Sequence, residues 1–363
     1  MSRQARLPGA ILAAVFICAG CAVERVPVGA GPPFLRAAGL ARVSDLHAVS
    51  PPAWAPDGRL LAFSTADAVW SVRAAPGDLD RRRVASLAGV ERVAWSPDGR
   101  ALVALAGGRL FVVALDDPTP RPLVAARGVR DPAWPPTGRR VFERSTDAGA
   151  GPAYATGAGP TTLWTVRAGG RAARVASLAS DLEVRAITWL AADTGLAVSA
   201  APPGGRADRV LYLRSGARAA PRTQMLPAGG RDPVPSPEGR FIAYLQNAGG
   251  PAPGGSAGDT VQIAVMRADG SGRRVLTPPG RYSSLAWSPA GTVLAYARQE
   301  AGRTAIEIAD VLTGERLWLG DHRSEPAASP TPIAIVWAPD GSRLAFDTGT
   351  NAGFVWIATL ERR

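Results

Sequence analysis

Few side chains in this chain have the type and spacing to do chemistry. Gly254-Gly255-Ser256-Ala257-Gly258 has the G-x-S-x-G form of a serine-hydrolase nucleophile elbow. That chemistry needs a strand before the serine and a helix after it. Here the motif follows Gln246-Asn247-Ala248-Gly249-Gly250-Pro251-Ala252-Pro253, a Gly/Pro-rich stretch that reads as a loop. There are two histidines, His47 and His322, too few for a His-rich metal site. His47 reads as structural. His322 lies in Gly320-Asp321-His322-Arg323-Ser324-Glu325, where Asp321 or Glu325 would complete an acid–base pair. A polar surface connection is the plainer reading of that segment. Asp57, Asp98 and Asp340 look like metal ligands, but each occupies the same place in a repeated turn. No catalytic residue, metal site or cofactor is expected.

The two cysteines carry a different chemistry. Arg3 and Arg6 form a basic start, and Leu7 to Ile17 is apolar but too short to span a bilayer. Cys18-Ala19-Gly20-Cys21 follows and resembles a bacterial lipobox, with Cys18 where leucine is usual. The resemblance implies a signal peptide over residues 1–20, lipidation of Cys21 and an extracytoplasmic location, in the periplasm or at the cell surface. Residues 22–38, with Pro27, Gly29, Gly31, Pro32 and Pro33, read as a tether from the anchored Cys21. Fully extended, it would reach about 55 Å.

Beyond residue 38 the chain is organised by a turn. Trp54-Ala55-Pro56-Asp57-Gly58, Trp95-Ser96-Pro97-Asp98-Gly99, Trp134-Pro135-Pro136-Thr137-Gly138, Trp287-Ser288-Pro289-Ala290-Gly291 and Trp337-Ala338-Pro339-Asp340-Gly341 are clear copies. Trp189 with Gly195, and Pro235-Ser236-Pro237-Glu238-Gly239, are degraded ones. The steps between them are 41, 39, 55, 46, 52 and 50 residues, the period of a repeat architecture. Proline presets φ at the second turn position and glycine accepts positive φ at the fourth. Apolar runs flank the turn, so each copy predicts a β-hairpin. A third strand follows (Ala68–Val72, Leu110–Val113, Leu163–Val166, Val210–Leu213, Val261–Val265, Ala305–Ile308, Val355–Ile357). A weaker fourth one appears at Arg83–Leu87, Arg174–Leu178 and Arg274–Leu276. Four short strands per repeat make a propeller blade.

The seventh repeat lacks a fourth strand, whereas Arg42-Val43-Ser44-Asp45-Leu46 precedes the first repeat with the same spacing as Arg83–Leu87. That segment is expected to complete the last blade. The prediction is an all-β, seven-bladed propeller of four-stranded blades over residues 39–363, closed by an N-terminal strand. Closure removes sheet edges that invite aggregation. The recurring tryptophans are expected to pack blade against blade.

The Trp-Ser-Pro-Asp-Gly turn, the Leu-Ala-Phe or Leu-Ala-Tyr strand and the aromatic third strand resemble the TolB-type, WD40-like (PD40) propeller repeat. The resemblance implies the fold and leaves function open, since such repeats serve unrelated roles. The chain lacks the α/β domain that precedes the propeller of TolB itself, so TolB's partners are not carried over.

In a propeller the Trp-turns share one face. The second-to-third-strand loops and the blade connections share the other. The long loops 143–162, 201–208, 246–260, 298–304 and 320–332 therefore mark an expected binding face. Its candidates are Arg144, Tyr154, Arg206, Arg298, Arg303, His322 and Arg323, with Asp208 among the nearby acids. The formal charge is +11 and every basic side chain is arginine. The arginines are scattered rather than gathered in one run, which argues against nucleic acid.

The expected role is that of a non-catalytic, monomeric interaction scaffold. It would bind an envelope protein and be held to the membrane through Cys21. A glycan binder would need stacking aromatics on the loop face. A funnel enzyme would need convergent acids, histidine or tyrosine at the axis, which the first strands barely supply.

Overall fold

The computed structural model describes residues 24–25, 35–75, 80–123, 128–133, 150–156, 161–167, 172–178, 182–190, 195–202, 208–214, 222–249, 260–300, 303–322, 334–347 and 353–362. Among them every regular element is a strand. Each repeat forms its own antiparallel sheet, with strands in chain order from the inside outward. The first repeat runs Ala53–Trp54, Leu60–Ser64, Ala68–Arg73, Arg81–Ser86. The sixth runs Arg281–Trp287, Val293–Glu300, Arg303–Asp310, Arg316–His322. The fold is an all-β propeller. The expectation of uniformly four-stranded blades is corrected: six sheets have four strands, and the sheet of the fifth repeat has five.

The extra strand is Glu24–Arg25, which pairs in parallel with Arg274–Val275 on the outer edge of the fifth repeat. The closing strand also differs from expectation. Leu35–Arg42, not residues 42–46, pairs antiparallel with Val355–Arg362 and completes the last sheet. Residues 24–25 and 35–38, expected as tether, are therefore strand. Tyr154, expected in a loop, lies in the strand Ala150–Thr156, opposite Trp164.

The turn chemistry holds in detail where the turns are described; the copy Trp134–Gly138 lies outside the described residues. Gly99 N–H donates to Ser96 O at 2.9 Å and Gly291 N–H to Ser288 O at 2.8 Å, closing four-residue turns. Gly99 and Gly291 adopt φ of 69° and 64°, where a Cβ would strain. The turn acids brace the exit: Asp57 Oδ1 accepts from Arg59 N at 2.9 Å, and Asp340 Oδ1 from Ser342 N at 2.9 Å. This bracing accounts for those carboxylates without a metal.

The tryptophans join the repeats. Trp95 Nε1 donates to Ala53 O at 3.0 Å, Trp287 Nε1 to Val234 O at 2.8 Å and Trp337 Nε1 to Ala286 O at 3.0 Å. Each acceptor is the residue just before the turn motif of the preceding repeat. Trp54 Nε1 donates to Val336 O at 3.1 Å, so the first repeat sits against the seventh and the ring closes. Pro235 in the fifth repeat cannot make this bond. Between the sheets lie apolar cores such as that of Val84, Val93, Leu102 and Val113.

Burial also sets the alkaline behaviour. Tyr212 is pushed up to about 12, chiefly by burial, with Arg222 over its ring working the other way. Burial likewise raises Tyr282, and raises Tyr296 with help from Glu307. Above about pH 10 the unfolded chain loses phenol protons that the folded chain keeps, so stability is present below that pH and falls as pH rises. With no lysine to titrate there, urea midpoints measured into the alkaline range should decline through the tyrosines. Tyr212→Phe should flatten the decline.

Candidate functional site

The inner strands are not plain ladders. The register slips between Val90 and Arg92, Arg130 and Ala133, Val184 and Ala186, Arg231 and Val234, and Ser283 and Ala286. Bulges thus recur near the start of five inner strands, at the loop-face mouth of the central funnel. A bulge unpairs a residue and re-aims its side chain. Glu91, Arg92, Glu183, Arg185, Arg231 and Asp232 are all exposed there. This corrects the expectation that the first strands supply few ionisable groups. The signal was present in the sequence as paired acids and arginines three to six residues before the second, third, fourth and fifth turn motifs.

The bulge of the fifth repeat is the most elaborately built. Asp232 adopts φ 51°, and Ser284 in the sixth repeat adopts φ 59°; both lie in the left-handed region. Buried Asp208, on the adjacent repeat, accepts from Asp232 N through Oδ2 at 2.9 Å. Buried Ser199 donates to Pro233 O at 2.6 Å. Two side chains of the fourth repeat therefore fix the backbone that presents Arg231 and Asp232.

Burial raises the Asp208 pKa, with the nearby Asp232 adding to it; the Asp232 N–H, Arg185 and Arg231 work against the rise. A carboxyl raised in the folded state contributes stability that is full below its unfolded value and is lost as pH rises through the folded one. Asp208→Asn keeps an acceptor and removes the charge, so it should stabilise the chain at neutral pH and leave acid stability unchanged. Asp208→Ala removes the acceptor and should cost about 1–3 kcal/mol. Urea unfolding at neutral and acid pH checks both.

Of the loop-face candidates, Arg298 has a described environment. It lies in the second strand of the sixth repeat, with Nε 2.8 Å from Glu307 Oε1. Glu307 is buried, accepts from Tyr296 Oη at 2.9 Å and has Arg316 Nη1 at 3.8 Å. Arg298 is thus committed to an internal cluster rather than held free for a ligand. Sequence reasoning did not find this cluster, although a lone Glu in Ala305-Ile306-Glu307-Ile308 opposite Tyr296-Ala297-Arg298 was its trace. Arg303 and His322 lie at strand ends, opposite Glu300 and Thr304 respectively. Arg144, Arg206, Arg323, Ser256 and Cys21 lie outside the described residues. His47 packs on Phe354, ring centroids 4.8 Å apart, which suits a structural role.

Among the described residues no three His, Cys, Asp or Glu are grouped to hold a metal ion, and no helix is long and apolar enough to cross a membrane. No family model matches the chain. No curated protein matches it either. Solved structures do match in fold. The Kuenenia stuttgartiensis hydrazine synthase aligns with TM-score 0.60 at 17% identity, over 88% of this chain and 96% of that one. The β-propeller domain of Myceliophteria thermophila Cps50 (Swd1) aligns with TM-score 0.58 at 14% identity, over 88% and 98%. An oligogalacturonate lyase in complex with manganese aligns with TM-score 0.52 at 12% identity, over 83% and 96%. At these identities the likeness is one of fold.

Proposed function

We propose that the chain is a lipid-anchored, extracytoplasmic propeller of the TolB-like type, held through Cys21, whose loop face binds a protein partner in the cell envelope. The observation that carries this reading is the funnel mouth. Exposed acids and arginines alternate there on bulged inner strands, and buried Asp208 and Ser199 hold one bulge in place. Fixed charges of both signs suit a polar protein surface, where complementarity sets specificity and encounter rate. Arg144, Arg206, Arg303, His322 and Arg323 would extend that surface outward along the loops.

Crosslinking in intact native cells, followed by purification of the tagged chain, tests the reading. A single defined envelope protein should be captured by the wild-type chain. Capture should fall sharply for an Arg92→Glu, Arg185→Glu, Arg231→Glu variant that stays folded, and for Cys21→Ala. Recovery of wall polymer or glycan alone would refute a protein partner. Undiminished capture by the charge-reversed chain would refute the mouth as the site.

A further inference from the structure

Glu24 and Arg25 form the outermost strand of the fifth repeat. Between Cys21 and Glu24 stand Ala22 and Val23. Three residue steps span at most about 11 Å. If Cys21 carries lipid, as in the reading above, the rim of the fifth repeat cannot leave the bilayer surface. A long flexible stalk is replaced by a short one fixed to a sheet edge.

The neighbouring rim has the surface for such a place. Six large apolar side chains are well exposed among the described residues; four lie on the fourth, sixth and seventh repeats, and two of these, on the sixth, adjoin this attachment point. Met225 (43% exposed) is on the outer strand of the fourth repeat. Leu312 (53%) and Trp318 (55%) belong to the sixth, and Leu40 (41%) to the strand that completes the seventh. Arg274, on the strand that Glu24–Arg25 joins, donates through Nη1 to Leu312 O at 2.9 Å. Arg222 stands on the outer strand of the fourth repeat. Tryptophan and leucine flanked by arginine fit the interfacial layer of a bilayer: rings and alkyl groups sit at headgroup depth, and guanidinium groups meet lipid phosphates.

We propose that the rim of the fifth and sixth repeats, centred on Leu312, Trp318 and Arg274, docks edge-on against an anionic lipid surface. This inference rests on lipidation of Cys21. The propeller then stands on its edge. The funnel axis lies along the membrane plane, and the loop face opens sideways toward other membrane-held proteins.

The test uses the full chain isolated from membranes and reconstituted into vesicles of equimolar phosphatidylcholine and phosphatidylglycerol. The only native cysteines are Cys18 and Cys21, so an introduced thiol can be spin-labelled alone. Leu312→Cys and Trp318→Cys sample the proposed rim. Arg121→Cys samples the outer strand of the second repeat, across the ring. The mass of the mature chain is read first. Diacylglyceryl on Cys21, with labels at 312 and 318 several-fold more accessible to oxygen and less accessible to a nickel chelate than the label at 121, is the expected result. A lipidated chain with equal aqueous accessibility at all three sites overturns the edge-on docking and leaves the anchor standing. A mature chain without lipid on Cys21 overturns the anchor, and the docking with it.

Discussion

Replacing Glu307 with alanine is expected to destabilise the propeller by about 3–5 kcal/mol, the range for removing one partner of a buried ion pair. Glu307 pairs with Arg298 and Arg316, and it also receives the Tyr296 hydroxyl. The side chains of Glu307 and Arg316 are 8% and 17% exposed. Removing the acid strands the Arg316 guanidinium and the Tyr296 phenol in the core shared by the fifth and sixth repeats, where Tyr282 packs edge-on against Tyr296. Glu307→Gln keeps an acceptor for Tyr296 and should cost less. Replacing the whole set with apolar residues of similar volume (Glu307→Met, Arg298→Met, Arg316→Met, Tyr296→Phe) should recover most of the loss, because no charge is then left unpaired. Urea unfolding of the three variants decides the matter. A cost below about 1 kcal/mol for Glu307→Ala would mean that both arginines swing to water and that the cluster behaves as a surface pair.

What the sequence made legible was local. A Ser-Pro-x-Gly turn dictates its own backbone, so hairpins form at the described copies of the turn. The third strands match within a residue or two, apart from extensions such as Val355–Arg362. What it hid was pairing between distant segments. Arg42–Leu46 imitates the spacing of Arg83–Leu87, yet the closing strand is Leu35–Arg42, because its register is set by Val355–Arg362 more than 300 residues away. The fifth strand at Glu24–Arg25 was masked by glycine and proline nearby, which suggest a tether. In the third repeat, Ala150–Thr156 is rich in Ala and Gly and has none of the β-branched character that marks a strand, apart from Thr156. The candidate site was legible as a face and missed as residues. Loop length points to the same end of the funnel as the bulges, but long loops draw attention away from Glu91, Arg185 and Asp232 on the strands beneath. Their exposure depends on bulges, and a bulge has no reliable sequence mark when glycine is absent.

The seam is where a single side chain should matter most for the ring as a whole. Trp54→Ala is expected to cost about 3–5 kcal/mol and to lower Tm by about 5–10 °C. Trp54 is nearly buried, and its Nε1–H bond to Val336 O joins residues 282 apart in sequence. Arg343 lies over its ring, Cζ 4.9 Å from the centroid. The same guanidinium donates to Ala74 O at 2.8 Å and Gly58 O at 2.7 Å, so one stacked arginine ties the seventh repeat to two carbonyls of the first. Without the indole, the arginine loses the surface that orients it, and the two losses should not add in a Trp54→Ala, Arg343→Ala pair. Trp95→Ala is the matched control: its Nε1 makes the same bond to the preceding repeat, but chain continuity already holds those two repeats together. Both variants should lose similar stability from the cavity. Only the seam variant should also speed hydrogen exchange across Leu35–Arg42 and Val355–Arg362, because opening there frees the paired ends of the chain. Equal exchange in the two variants would place ring closure in the strand pairing alone and leave Trp54 as one packing residue among several.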